Sequence, residues 1–443
     1  MRIDPRIFLT TIRVGCVVAA CASGRASLGA DGWPQWGGPL RDFTVPSAAA
    51  LNWPEGGFKE LWRRPLGQGY SGIVGDGGRL YTMVRRGEQE VVVALSAADG
   101  KTLWEHAYDA PLYDWADSSF GRGPNSTPLL ANGRLVTVGF NGLAKCLDAR
   151  SGKVLWSVDL FKDLHGTKLG WGYSCSPLAY RDVVILPVGG EKSAIVALRL
   201  VDGSKAWAAQ DFTNTYSTPK IIDVDGQDQL VIVTTEQVLG LDPTQGDLLW
   251  TFPFQNTWNS NLPVWGKDHI LFVGSYEQSN GLRLKRTEGK TAVEELWSNN
   301  ETGIRNSNVV RIGDILYAST GDSRTVVKAL DVQTGKILWK ERGFGLANYL
   351  ALGDRLLFVD ENGQLALARP DRTALHVLGK SKLFDIAETM PPEGMPDALQ
   401  DGPPVPSPES GKTVENRVWT APTLVGDILF ARDQKEIVAV KLR

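Results

Sequence analysis

Short apolar runs alternating with polar positions, each closed by a cluster of Gly, Asp, Asn, Thr or Ser, recur from residue 58 to the end of the chain. A period of two over so few residues predicts half-buried β-strands joined by turns. The clearest unit is Asn125–Leu130, Arg134–Phe140, Gly142–Asp148 and Lys153–Leu160, four strands in succession with a turn at each join. Such a unit is a four-stranded antiparallel meander, with strands A to D in chain order.

The link between strands C and D repeats almost as a sentence. Lys328 to Lys340 reads KALDVQTGKILWK, an alternating strand, a Thr334-Gly335-Lys336 turn, and a second strand ending on Trp339. This is hairpin chemistry. Copies end at Trp104, Trp156, Trp207, Trp250 and Trp297, and Glu60-Leu61-Trp62 is a lone last strand of the same kind. From Trp104 onward the spacings are 52, 51, 43, 47 and 42 residues, and 39 more lead to Leu378, which takes the corresponding place in a worn seventh copy. A period of ~40–50 residues is that of a propeller blade. Strand A carries its own mark, a proline near its start at Pro128, Pro177, Pro219, Pro263 and Pro422, where a missing N–H is tolerated.

The eighth copy begins at Val418 and stops after Val440 without a strand D, while the strand around Trp62 has no blade before it. The expected fold is therefore all-β: an eight-bladed β-propeller of four-stranded antiparallel blades, closed when the N-terminal strand completes the C-terminal blade. Closure removes long unpaired sheet edges. The organisation expected is a signal peptide over residues 1–30, an extended arm over 31–57 laid on the domain, and one propeller over 58–443 with a Pro-rich insertion at 381–416.

Composition sharpens this reading. The 443 residues carry 48 Gly and 15 Trp, as many tight turns and one large aromatic per blade require. The net charge is -3 with no long block of either sign, which argues against a nucleic-acid or anionic-membrane partner. Arg2, Arg6 and Arg13 precede an apolar run from Val14, and Leu28-Gly29-Ala30 offers a cleavage site, so the chain is expected to be exported. Val18-Ala19-Ala20-Cys21 also resembles a lipobox, which leaves two outcomes, lipid anchoring through Cys21 or cleavage after Ala30. No second apolar stretch reaches the ~18 residues of a membrane span. Of the remaining cysteines, Cys146 and Cys175 read as small buried residues.

The A-x-D-x-x-T-G-K-x-x-W hairpin with its strand A proline resembles the tryptophan-docking repeat of the pyrroloquinoline-quinone-like β-propeller superfamily, over residues 58–443. The resemblance implies that Trp62, Trp104, Trp156, Trp207, Trp250, Trp297 and Trp339 are structural, each packing between neighbouring blades. One branch, the quinoprotein dehydrogenases, binds PQQ with calcium under an adjacent cysteine pair, and some members carry a C-x-x-C-H haem module. This chain has neither motif. The other branch is the cofactor-free, BamB-like exported propellers, which this chain is closest to in character.

Connections from strand D to the next strand A, and from B to C, emerge on one face around the channel. They carry Tyr70, Arg122, Asn125, Tyr173, Tyr216, Trp258, Arg305, Asn348, Tyr349 and Trp419, with Asn259, Asn306 and Arg417 beside them. Aromatic rings with amides and guanidinium groups around a funnel suit a flat or sugar-like ligand, or a peptide; the plainer reading is that they plug the mouth. The Asp223–Asp228 loop lacks the ligands of an EF-hand and reads as a hairpin turn, and His106, His165, His269 and His376 show no metal spacing. Asp114 and Asp117, beside Trp115 in the loop before blade two, could act as an acid pair and read as solvated surface. No catalytic constellation and no metal site emerge. The function expected is an exported, non-catalytic binding or scaffolding propeller, a monomer taking a protein or peptide at the channel mouth of the periplasm or cell envelope. The alternatives are a PQQ-dependent oxidoreductase using the same face and a carbohydrate-binding propeller.

Overall fold

A computed structural model describes residues 31–45, 50–257, 259–304, 306–320, 326–386 and 416–443. The signal-peptide residues, Cys21, Trp258, Arg305 and most of the Pro-rich insertion lie outside the described residues.

Eight sheets form eight four-stranded antiparallel blades, one of them extended by a fifth strand, and among the described residues there is no helix. Blades one to seven span residues 74–109, 129–159, 178–209, 220–253, 264–299, 310–341 and 347–382. In blade two the strands are Leu129–Ala131, Arg134–Val138, Leu143–Asp148 and Val154–Asp159, close to the bounds the alternation predicts. Blade eight consists of Thr423–Val425, Ile428–Arg432 and Glu436–Lys441, completed on the outside by Lys59–Pro65. The inner strands B and C are buried on both faces while strand D alternates, which is why B and C read as near-continuous apolar runs.

Each docking tryptophan sits at a β-bulge in strand D. Trp62, Trp104, Trp156, Trp207, Trp250, Trp297 and Trp339 stand opposite Ala439, Ala94, Cys146, Ala197, Gly240, Gly281 and Ala329, and the register shifts immediately before each. The small partner leaves room for the indole to lie on the sheet. Five indoles donate to the C–D turn of the next blade, at Ala97, Ala149, Leu200, Val332 and Asp371, over 2.8–3.1 Å. Trp250 instead donates to Gln229 within its own blade. The turn glycine must have positive φ, 73° at Gly152 and 67° at Gly335, and a side chain there would run into the docked ring of Trp104 or Trp297. The Asp of the repeat fastens the turn, as where Asp331 Oδ1 accepts from the Thr334 amide and hydroxyl.

Blade seven departs from the expectation that Leu378 takes the tryptophan's place. Leu367 stands opposite Gly379, and Leu378 is the bulged residue, 39% exposed like Leu61, Leu103 and Leu155 at the same point of other blades. The empty place over Gly379 is filled by Trp53 of the arm, whose ring lies where a Cβ would be. Trp53 packs edge-on against Phe58, 4.7 Å between centroids.

The arm is more than a covering. Trp33 bridges Gly75 of blade one, Pro34 accepts from Leu130 of blade two, Arg41 reaches blades three and four, and Thr44–Val45 adds a parallel strand to blade seven. It therefore crosses the channel from wall to wall. The Pro-rich insertion also begins later than residue 381, because strand D of blade seven runs to Lys382 and Leu383 and Phe384 pack into the core. Cys146 and Cys175 are buried free thiols, and burial pushes the Cys146 thiol up to about 12.

Candidate functional site

The inner strands are stapled to one another at the mouth. Ser126 Oγ donates to Cys175 O (2.8 Å), Ser176 N to Thr218 Oγ1 (3.0 Å), Ser217 Oγ to Asn261 O (2.9 Å), and Asn308 Nδ2 to Tyr349 O (2.8 Å). Asn348 Nδ2 to Trp419 O, Thr420 Oγ1 to Tyr70 O and Gly72 N to Thr127 Oγ1 carry the belt past the closing seam. The Ser/Thr before Pro128, Pro177, Pro219 and Pro422 is thus an interblade fastener, whereas Asn261-Leu262 precedes Pro263. Narrow strand starts would otherwise leave backbone groups unpaired around the channel.

Inside this belt lies a cavity of about 210 Å³. Its floor is Trp36 of the arm, held edge-on to Phe43 at 5.0 Å. Beside it the arm is pinned by Arg41, whose guanidinium donates to the carbonyls of Ser176, Pro177 and Pro219 and to Gln35, while Lys220 Nζ donates to Arg41 O. Both cations are buried, and burial lowers Arg41 to about 9 and Lys220 to about 8.

One side of the cavity is a continuous aromatic wall. Tyr70 meets Trp419 at 5.3 Å, Trp419 meets Phe120 at 5.8 Å, Phe120 meets Trp171 at 5.6 Å and Trp171 meets Tyr216 at 5.7 Å. The Tyr216 hydroxyl accepts from the Trp171 amide, and the Tyr70 hydroxyl accepts from Gln434 Nε2. Burial raises both phenols above their ordinary range, so each stays a neutral phenol. The other side is neutral and polar, with Ser176, Thr218, Asn261, Asn306, Asn308 and Asn348 among the lining groups.

Of the residues expected at the mouth, Tyr70, Asn125, Tyr216, Asn348 and Trp419 line the cavity. Arg122 lies on the rim, paired with Glu88 at 2.8 Å. Tyr173 and Tyr349 are fully buried in the blades instead, Tyr173 donating to Pro187 O and Tyr349 packing on Phe358 at 5.5 Å. Trp258 and Arg305 lie outside the described residues. Sequence reasoning missed Trp36, Phe120 and Trp171. The Trp-Pro-Gln-Trp arm and the glycines beside Phe120 and Trp171 in the long loops before blades two and three were the available signals.

The lining does not fit PQQ with calcium. Among the described residues it offers no carboxylate for the cation and no ammonium or guanidinium for the quinone's carboxylates. No cluster of three or more His, Cys, Asp or Glu able to hold a metal occurs among the described residues, and Asp225-Gly226 is a hairpin turn with φ of 51° and 82°. Asp117 caps its own loop at the Ser119 amide.

A family profile described as outer membrane protein assembly factor BamB matches residues 88–341, blades one to six, where the repeat is least worn. Curated relatives bearing that description include the Yersinia pestis protein, 24% identical over 250 residues, which cover 52% of this chain and 60% of that protein. The Shewanella oneidensis protein is 23% identical over 326 residues, 69% of this chain and 78% of its own. This chain thus spans about three fifths of the Yersinia relative's length. Among solved structures, BamB from Moraxella catarrhalis aligns with a TM-score of 0.56 at 18% identity, over 87% of this chain and 97% of that one. The quinohemoprotein alcohol dehydrogenase from Comamonas testosteroni aligns with a TM-score of 0.62 at 12% identity, over 93% and 80%. Identities this low speak for the fold alone, a propeller architecture shared by both branches. With a profile match over more than half its length, this pyrroloquinoline-quinone-like propeller belongs to the family described as outer membrane protein assembly factor BamB.

Proposed function

We propose that this chain is an exported, non-catalytic adaptor of the cell envelope that holds a polypeptide partner against the mouth face during outer membrane protein assembly. It works as a monomer, held at the membrane through Cys21 or released by cleavage after Ala30. The observation that carries the reading is the raised rim. The loop before blade two folds against the loop before blade three, Asp117 N donating to Gly170 O, and leaves Trp115 57% exposed beside Tyr113. A large exposed aromatic on an ordered loop is the usual anchor of a protein interface. Among the described residues no helix is long and apolar enough to cross a membrane.

A photoreactive phenylalanine analogue at Trp115, irradiated in intact cells, is expected to crosslink to an envelope protein, and the same analogue at the bulge residue Leu155 is expected to give a different pattern. Identical patterns from both positions sink the assignment of this face. Labelled fatty acid incorporated by the full chain and lost in Cys21→Ser establishes the anchor; incorporation unchanged by that substitution rejects it.

A further inference from the structure

The rim explains a protein partner but leaves the cavity beneath it unaccounted for. Its walls are of two kinds, five aromatic rings in unbroken contact and a row of neutral amides and hydroxyls. Most of those polar groups are spent in the interblade belt. Asn261 is different: it is 4% exposed and lines the cavity, its Nδ2 donates to Gly274 O, and its Oδ1 is buried with no partner among the described residues. A buried acceptor left unpaired is costly, and a ligand hydroxyl or N–H would recover that cost. Asn306 lies exposed at the same lip.

Three properties select the ligand. The described lining is uncharged, so neither a phosphate nor a carboxylate is matched. At about 210 Å³ the cavity falls below the ~300–1,000 Å³ of sites for drug-sized molecules, which makes it a space for one ring. It is also blind, because Trp36 and the Arg41-pinned arm close its lower end. An extended peptide needs a through-groove and unpaired main chain to bind along, and a blind cavity takes a ligand end-on. A pyranose ring meets all three conditions, with an apolar C–H face for the aromatic wall and hydroxyls for the amide row.

We propose that the channel cavity is a saccharide site, binding a single neutral sugar residue face-on against the Trp419, Phe120, Trp171 and Tyr216 wall with a hydroxyl donated to Asn261 Oδ1. Envelope glycans and free sugars share this chemistry, and the site takes the terminal residue of either. The proposal goes beyond the adaptor reading and stands or falls without it.

The full mature chain is titrated with glucose, N-acetylglucosamine and their β-1,4-linked disaccharides, followed by tryptophan fluorescence and calorimetry. Saturable binding of at least one is expected, weakened about tenfold or more in Phe120→Ala and in Asn261→Leu and unchanged in Trp115→Ala. Phe120 lies on a loop rather than in a blade, so its variant keeps the test valid where Asn261→Leu fails to fold. Preference for the disaccharide over the monosaccharide points to a glycan end, and equal affinity to a free sugar. No saturable signal from any of the four, binding indifferent to Phe120→Ala, or displacement of fluorescence only by a neutral proline-containing peptide would overturn the proposal. None of these outcomes bears on the crosslinks at Trp115.

Discussion

At the scale of single residues, seven blades spend a tryptophan on docking and one borrows it. Trp53 belongs to the arm in sequence and to blade seven in packing, because the register places Gly379 where the other blades place their indole. Removing a large aromatic from such a place costs ~3–5 kcal/mol. Trp53→Ala is therefore expected to lower the unfolding midpoint as much as Trp339→Ala, and Gly379→Val to do the same by evicting the ring. Denaturant unfolding measures all three; a Trp53→Ala protein as stable as the parent would show the place to be dispensable. No residue count would have found this partnership. The spacing of 39 residues led to Leu378, one position short, because the bulge that shifts the register is a property of the paired strands and not of either one.

Between elements, neighbouring blades are joined by buried polar groups as well as by indoles. Glu90 of blade one is fully buried, accepts from Phe140 N of blade two at 2.9 Å and from the Tyr108 hydroxyl at 2.8 Å, and faces Arg85 at 3.5 Å. Burial holds its carboxyl above the usual range despite those bonds. The folded chain thus keeps this proton more readily than the unfolded chain. The stability gained is fully present below the unfolded pKa, about 4.3, and is lost as the pH rises through the folded value. Glu90→Gln cannot release a proton, so thermal melts are expected to show the parent losing stability relative to the variant as the pH rises across that window. A parent-to-variant difference that is constant with pH would place the titration elsewhere. The Ser/Thr-Pro marks of strand A belong to this scale too. The proline was legible as a strand start, but the hydroxyl beside it gains its meaning from the next blade, through bonds such as Ser126 to Cys175 that cross 49 positions of sequence.

For the whole molecule, the ring closes where the chain ends meet. Lys59–Pro65 pairs with Glu436–Lys441, and Arg432, fully buried, spreads its donors over the carbonyls of Gly67 and Ser71 ahead of blade one and the Met83 carbonyl and Thr82 hydroxyl within it. Burial lowers this guanidinium to about 10, still protonated at neutral pH. Arg432→Met removes the buried donor from the Gly67 and Met83 carbonyls, at ~1–3 kcal/mol for each, while Ser71 O keeps the Thr82 hydroxyl. It is expected to open the seam first, read as faster amide exchange in strands 59–65 and 436–441 than in blades three to five. Uniform exchange would mean that the seam is no weaker than the rest.

The sequence by itself determined the blade, its strand order, its count and the manner of closure, because a propeller repeats one local problem and each copy states its solution in turn residues and alternation. It also singled out the approach to each strand A, where Trp419, Tyr216, Tyr70 and Asn125 lie in loops and Asn348 in the first strand of blade seven, all five among the cavity's lining residues. Only the tertiary structure decided which way loop side chains turn. Trp171 enters the cavity while Tyr173, two residues on, enters the core. The arm carries no repeat to reveal its path, and its place across the channel depends on carbonyls from blades three and four that meet at Arg41 only when the ring is closed. A repeat specifies contacts between neighbours in sequence; the floor and the lining of the cavity are made by residues that become neighbours through closure.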